Sequence, residues 1–467
     1  MSAAGTLTLK LTVLALGLLC LVGLWRVIAV MGLPIPLDPN EGWNAYHATT
    51  AISGGPLYPG PQSFMVNNYP PLSFYLVGAL GHILGDNIVA GRVVSLVSLS
   101  AVGLGILVAA LRMGCRRFEA TFASLLFVGG MLVFTDYVGM NDPQMLAHAI
   151  AMVGFLVLLR EPRQTVGVAA AALLFVVAAF VKHNVIVMAV AMTAWLALTD
   201  RRNALRLAGF GILMALTGLV FFRLAYGESL IGVLQSARTY TWDNLREGLE
   251  NWLPWSVMPL GGLIILVCYR STDRYVRLCA IYAAFGTLLG ICFLGGTGVD
   301  ANVMFDADIA LALGTALLLN RLATKTWIPI AGVAYVAPLF LAAWVNTSDN
   351  WGDVKSWLHP KRSDATIAQR DISFLSARRG PALCEMQSFC YWAHKPAAVD
   401  VFNVGEQFET GTRSDQILVK QIEARHFAVI QFDPDSPYSL GENVHDAVRR
   451  TYRLDHEDDF GVFFVPR

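Results

Sequence analysis

Long apolar stretches recur from residue 7 to residue 345 of this 467-residue chain, and the connections between them alternate in charge. This pattern limits the fold most, because a backbone in hydrocarbon must close its hydrogen bonds within helices or a closed barrel. About eleven spans are predicted, at 7–30, 88–111, 118–135, 143–159, 164–181, 184–199, 204–225, 254–269, 276–295, 303–319 and 326–345. The span at 184–199 is short and starts only a few residues after its neighbour. Arg112, Arg116 and Arg117 follow the second span, and Arg160 and Arg163 the fourth. Arg201, Arg202 and Arg206 follow the sixth, Arg270, Arg274 and Arg277 the eighth, and Arg321 and Lys325 the tenth. By contrast, residues 136–142 and 295–302 hold no Lys or Arg. Positive charge favours the cytoplasmic side, so the Arg-rich turns are expected inside. The first loop (31–87), the 226–252 loop and the C-terminal tail are then expected outside.

Composition agrees. Hydrophobic residues make up 55% of the chain and charged residues 15%, against about 25% charged in soluble domains. The expected class is an α-helical polytopic membrane protein. Its net charge of +0 argues against a nucleic-acid partner. The first span is too long for a signal peptide, and no small-residue cleavage site follows Met31-Gly32-Leu33-Pro34, so it is expected to stay as an anchor. No Walker loop, dinucleotide fingerprint, Ser-centred elbow or zinc-type spacing is present.

Polar residues become frequent from Asn346. The chain therefore divides into a membrane part, 1–345, and a tail, 346–467. Apolar runs at Pro381–Met386, Ala397–Phe402, Phe427–Phe432 and Phe460–Val465 alternate with helical patterns at Ser414–Arg425 and Glu442–Tyr452. That rhythm predicts a small extracytoplasmic α/β domain. Of seven cysteines, Cys384 and Cys390 lie in this tail. A disulfide and two separate buried thiols are both open readings.

The first loop carries Asp38, Glu41 and Asp86 but no cation. A carboxylate left unpaired at a membrane surface suits a general base. Residues 41–53 are expected to form an interfacial helix with Trp43, Tyr46 and Ile52 as its apolar residues. Pro70-Pro71 is expected to start a second short helix reaching Leu84. His47 and His82 are expected at the headgroup level. Capping of the interfacial helix is the competing role for Asp38 and Glu41.

Together these residues resemble a family. The acidic motif after the first span, the tandem prolines leading into an aromatic helix, and Gly91-Arg92 at the second span are similar to the GT-C membrane glycosyltransferases. The nearest pattern is the branch of protein O-mannosyltransferases and lipid A aminoarabinose transferases. Asn141-Asp142-Pro143, Lys182 and Asn251-Trp252-Leu253-Pro254-Trp255 extend the match. The resemblance implies a polyprenyl- or dolichyl-phosphate sugar donor, an acceptor on the outer side (an envelope glycan, lipid or protein) and inversion. Two positions depart from the family. Asn40, not Asp, precedes Glu41, and Asn68-Tyr69 stand where some members carry Glu-Lys before the prolines. The second departure counts against a bound divalent cation, and no other cofactor is called for.

Such a reaction needs a base for the acceptor hydroxyl and cations for the departing phosphate. Asp38, with Glu41 close behind, is the expected base. Lys182, Arg92, Tyr69 and Arg238 are the expected donor and phosphate contacts, with snorkelling the competing role for Lys182 and a solvated loop for Arg238. Asn68, Asp142 and Tyr240 are the expected acceptor or sugar contacts, with helix capping the competing role for Asp142. Asp306 and Asp308 are costly in a membrane span unless they face a cavity. A polytopic transporter or lipid flippase is the alternative class, although no matching repeats or broken helices support it. A non-catalytic envelope assembly protein is a third. Compact loops and the lack of eukaryotic retention signals point to a bacterial inner membrane.

Overall fold

The computed structural model describes residues 3–135, 137–227, 238–348, 362–433 and 440–467. Each expected span falls on a helix. Among the described residues, seven helices are long and apolar enough to cross a membrane: α1 (Ala3–Val30), α4 (Asn87–Arg112), α5 (Arg117–Phe134), α9 (Arg201–Tyr226), α10 (Trp242–Arg270), α11 (Arg274–Leu294) and α12 (Phe305–Arg321, led by a 3-10 turn at Ala301–Met304). The remaining four, α6 (Gln144–Leu158), α7 (Thr165–Val181), α8 (Val187–Thr199) and the stretch Ile328–Trp344 of α13 (Ile328–Ser348), are shorter. The expected count of eleven full spans is therefore seven long helices and four shorter ones. Asp142-Pro143 precedes α6, and the irregular Lys182–Ile186 connection cuts α7 and α8 short. The protein is an integral membrane protein of helical class.

Helix α12 sits at the centre, with every residue from Phe305 to Leu319 buried. A helix apolar on all sides belongs inside a bundle. The Arg-rich turns share one end. Arg321 after α12 bonds Asp273 before α11 and the Met113 carbonyl after α4. Arg163 before α7 pairs with Asp200 after α8 at 3.7 Å, and Arg274 reaches Glu161 at 2.9 Å. These contacts make α7 and α8 an antiparallel hairpin with Lys182 at its far tip.

The first loop folds into α2 (Pro39–Ser53) and α3 (Leu72–Leu84). Both boundaries match the sequence reading, but α2 is not a surface helix. Glu41, Trp43, Asn44 and His47 are buried on it. Only Ile52 of its three expected lipid-level residues is well exposed, whereas His82 on α3 is exposed as expected. His47 packs against the Trp43 ring at 4.4 Å and meets the Val66 carbonyl at 3.2 Å.

The tail forms α14 (Arg362–Ala377), β1 (Ala382–Cys384), α15 (Gln387–Trp392), α16 (Val401–Glu409), α17 (Gln416–Glu423), β2 (Val429–Phe432), α18 (Glu442–Thr451), β3 (Tyr452–Asp458) and β4 (Gly461–Pro466). The sheet order is β1-β2-β4-β3, with β1 and β2 parallel and the other pairs antiparallel. The run at Ala397–Phe402 is not a strand. It leads instead into α16, which Asp400 caps. Strand β3 gave no apolar signal because it is a polar edge strand, exposed along much of its length. Cys384 and Cys390 form a disulfide. Phe64 of the first loop belongs to the core of this unit, beside Leu383 and Val401.

Candidate active site

At the end of the bundle away from the Arg-rich turns, seven segments meet: the start of α2, the stretch before α3, the α5–α6 connection, Arg238, the connection between α11 and α12, the β1–α15 connection with the start of α15, and the start of α16. They enclose a polar cavity of ≈ 60 Å³, whose wall includes Asn40, Asn68, Tyr69, Arg238, Asn302 and Asn403.

Asp38 caps α2. Its Oδ1 accepts the Asn40 N–H at 2.7 Å, and its neighbours Pro39 and Asn40 form part of the cavity wall. Burial pushes its carboxyl up to about 7, against the pull of the Asn40 N–H and with added push from Glu41 and Asp142. The cap engages Oδ1 and is compatible with a second role for the same side chain.

Glu41 lies elsewhere. It is fully buried and bidentate with Arg92, at 2.7 and 2.6 Å. It also accepts the N–H groups of Leu37 and Asn141. The Arg92 guanidinium takes the carbonyls of Val30, Met31, Leu33 and Ile35 as well. Every nitrogen of Arg92 is engaged, and neither residue lines the cavity. The pair fixes the turn by which the chain leaves α1.

Lys182 stands over the Tyr69 ring at 3.5 Å and pairs with Asp142 at 3.3 Å. Asp142 also accepts the Gln144 N–H at 2.7 Å, so its capping role and its Lys182 contact coexist. Arg238 lies over the Phe402 ring at 4.7 Å and donates to the Thr297 carbonyl at 3.2 Å. Asn68 donates to the Asn403 side chain at 3.1 Å. Tyr240 sits apart. It bridges to Gly296, covers Gly295, and is 51% exposed. Of the expected residues, Asn68, Tyr69 and Arg238 line the cavity; Asp38 adjoins its wall through Pro39 and Asn40, Lys182 with Asp142 reaches it through the Tyr69 ring, Glu41 and Arg92 are buried in the frame of the loop, and Tyr240 sits apart.

Sequence reasoning missed the contribution of the tail. Asp400 accepts from Trp43 Nε1 at 3.0 Å and from the Asn403 side chain at 2.7 Å. Burial pushes its carboxyl up to about 6, against the pull of Asn403 and Trp43. Gln387 lines the cavity, and its buried Oε1 has no hydrogen-bond partner. Gly298 has φ +67 and lies under Phe402, where a Cβ would come within 2.1 Å of the ring. Such a φ together with this close approach requires glycine. In sequence, residues 397–402 read as an apolar run, which hides both the Asp400 cap and its neighbours.

A second cavity adjoins the first. It is an apolar groove of ≈ 660 Å³ between α7, α8 and α9, lined by Phe175, Phe180, Ile186, Val190, Gly211 and Ile212 among others. Pro70 and His183 are part of its lining. Their chain neighbours, Tyr69 and Lys182, form the cation–ring pair, and the Tyr69 and His183 rings lie 6.5 Å apart. Asp306 and Asp308 are placed in neither cavity. Tyr282 and His148 meet Asp306 at 2.6 and 3.5 Å, and Trp252 donates to Asp308 at 2.7 Å.

Neither family models nor curated proteins match the sequence. Solved structures do. ArnT from Cupriavidus metallidurans bound to undecaprenyl phosphate superposes with TM-score 0.63 at 12% identity, covering 99% of this chain and 98% of that one. Its apo state gives TM-score 0.63 at 13% identity over the same shares. The archaeal oligosaccharyltransferase AglB from Archaeoglobus fulgidus, in complex with an inhibitory peptide and a dolichol-phosphate, gives TM-score 0.51 at 12% identity, covering 98% of this chain and 74% of that one. At these identities the shared property is architecture: the chain has the fold of ArnT along its whole length, and AglB shares that fold over part of its own.

Proposed function

We propose that this protein is a membrane glycosyltransferase that takes a sugar from a polyprenyl-phosphate donor and passes it to an acceptor hydroxyl on the extracytoplasmic side. The observation that carries this reading is the approach of the apolar groove, lined by Pro70 and His183, to the polar cavity, lined by Tyr69, with Lys182 over the Tyr69 ring. A long isoprenoid needs a greasy trough, and its phosphate needs cations at the trough's head. Undecaprenyl phosphate and dolichol-phosphate in the neighbours of the same fold are consistent with this.

In this mechanism the donor phosphate lies against Lys182 and Arg238. The acceptor oxygen attacks the anomeric carbon from the face opposite the phosphate. The bond from that carbon to the phosphate oxygen breaks, and its electron pair leaves with the lipid phosphate. The hydroxyl proton passes to Asp38. Attack from the opposite face inverts the sugar. A base works best with a pKa near the operating pH, which Asp38 meets at about 7. Lys182 and Arg238 balance the growing phosphate charge. Asn68, Asn403 and Gln387 are placed to take hydroxyls of the sugar or acceptor. Glu41 and Arg92 hold the loop and take no part in the chemistry. The disulfide in the tail fits an oxidising compartment, and the Arg-rich turns at the opposite end fit the cytoplasm. The bacterial inner membrane is the expected location, and an envelope glycan, lipid or protein is the expected acceptor.

Purified protein in proteoliposomes, supplied with polyprenyl-phosphate sugars and an envelope extract as acceptor source, tests the reading. Free polyprenyl phosphate should appear in step with glycosylated acceptor. If no such donor is consumed, the assignment is wrong.

A further inference from the structure

Away from the cavity, α14 and the edge strand β3 bring three potential ligands together. One ligand atom each from Asp371, His456 and Asp458 lies within 4.8 Å of the others. Asp371 is fully buried, and its Oδ2 has no hydrogen-bond partner. A buried carboxylate oxygen left in this state is costly and calls for a counter-charge.

The histidine is already oriented. Its ring stacks on Phe463, with centroids 4.5 Å apart and planes 8° apart, and meets the edge of Phe374 at 4.7 Å. Nδ1 lies 3.0 Å from Asp455 Oδ2. Nε2 points the other way, 3.3 Å from Asp371 Oδ1 and 4.0 Å from Asp458 Oδ2. When Nδ1–H donates to Asp455, the neutral ring presents its Nε2 lone pair to two carboxylates. Carboxylate–histidine pairs of this kind orient metal-bound imidazoles. A cation between Nε2 and the two carboxylates turns three mutually repelling acceptors into ligands.

Arg370 holds that place in this structure. Its guanidinium bonds both Asp371, at 3.1 Å, and Asp458, and its side chain is 57% exposed. It can therefore swing into solvent without opening the core. We infer that Asp371, His456 and Asp458 form a binding site for a divalent transition-metal ion of the zinc type, which Arg370 closes when the metal is absent. One imidazole nitrogen and two carboxylate oxygens suit such an ion, with water in the fourth position. The bound ion would staple α14, the first described helix after the membrane helix α13, to the free edge of the sheet.

The test uses the full-length protein in detergent, stripped with chelator and titrated with Zn²⁺ by calorimetry and with Co²⁺ by visible absorption. One equivalent should bind, with the absorption of nitrogen and oxygen ligands and no thiolate charge-transfer band. Arg370→Ala removes the competing cation and should tighten binding at least tenfold. His456→Gln should weaken it at least tenfold, and Asp458→Asn serves the same purpose if His456→Gln fails to fold. Absence of stoichiometric binding in both the parent and Arg370→Ala overturns the site. Binding unchanged by His456→Gln or Asp458→Asn also overturns it.

Discussion

In the proposed mechanism one carboxylate, at position 38, meets two demands. One oxygen caps α2, and burial lifts the group to about 7. The two roles separate by substitution. Asp38→Asn keeps a good cap, so thermal unfolding should stay close to the parent, whereas transfer should fall by roughly 10²–10⁴. In the parent, the base must be ionised, so the rate should rise with pH through about 7. That limb should vanish in the variant. The same shift acts on stability with the opposite sense. A carboxyl raised in the folded state favours folding at low pH, and that contribution is lost as pH rises through about 7. Glu41→Gln leaves Arg92 buried without its counter-charge and should cost about 3–5 kcal/mol, seen as a lowered unfolding temperature. Lys182→Ala should weaken donor binding roughly ten- to hundredfold, and it should also lower the unfolding temperature because Asp142 is left buried without its partner. The sequence made Asp38, Lys182, Tyr69 and Asp142 legible, because ionisable and capping residues at helix ends are unusual in apolar surroundings. It could not separate Asp38 from Glu41. Both carboxylates are three apart on one short motif, and only the distant Arg92 makes one of them structural.

Helices were legible through their apolar content, but not what lay against them. Trp43 and Tyr46 on α2 fit a lipid interface equally well by composition. The packing shows why Trp43 is buried and Tyr46 half-buried: α15 crosses α2 at Gly42, where a Cβ would lie 2.1 Å from the Ser388 nitrogen. Gly42→Val should therefore push the tail off the first loop, read as faster proteolysis of the tail and loss of transfer. Short helices also carry meaning. Helix α7 has 17 residues and is ~26 Å long, less than a hydrocarbon core of about 30 Å. Lys182 at its tip is then set at membrane depth, where Asp142 offsets the burial of its charge. The groove beside this hairpin has room to be filled. A Cβ at Gly211 meets nothing within 4 Å, so Gly211→Trp should fold normally. It should raise the KM for long-chain donors and leave short-chain donors nearly unaffected.

At the scale of the molecule, charge alternation along the chain already divided it into two ends. The structure ties one end together through Arg321, Arg163 and Arg274. Cysteines placed at Asn40 and Arg378 in a cysteine-free background should react with an impermeant thiol reagent from outside, and one at Arg201 should not. What sequence could not reveal is the docking of the tail onto the first loop. Phe64 enters the tail's core, and Arg413 reaches the Gln62 and Ser63 carbonyls. Contacts across so much chain leave no local pattern. The central claim is that a lipid phosphate lies where groove and cavity meet. A density map of the protein with a polyprenyl-phosphate sugar tests it most directly. The isoprenoid should run between α7, α8 and α9, the phosphate should touch Lys182 and Arg238, and the sugar should face Asp38. A lipid bound elsewhere, with its phosphate away from Lys182, would contradict it.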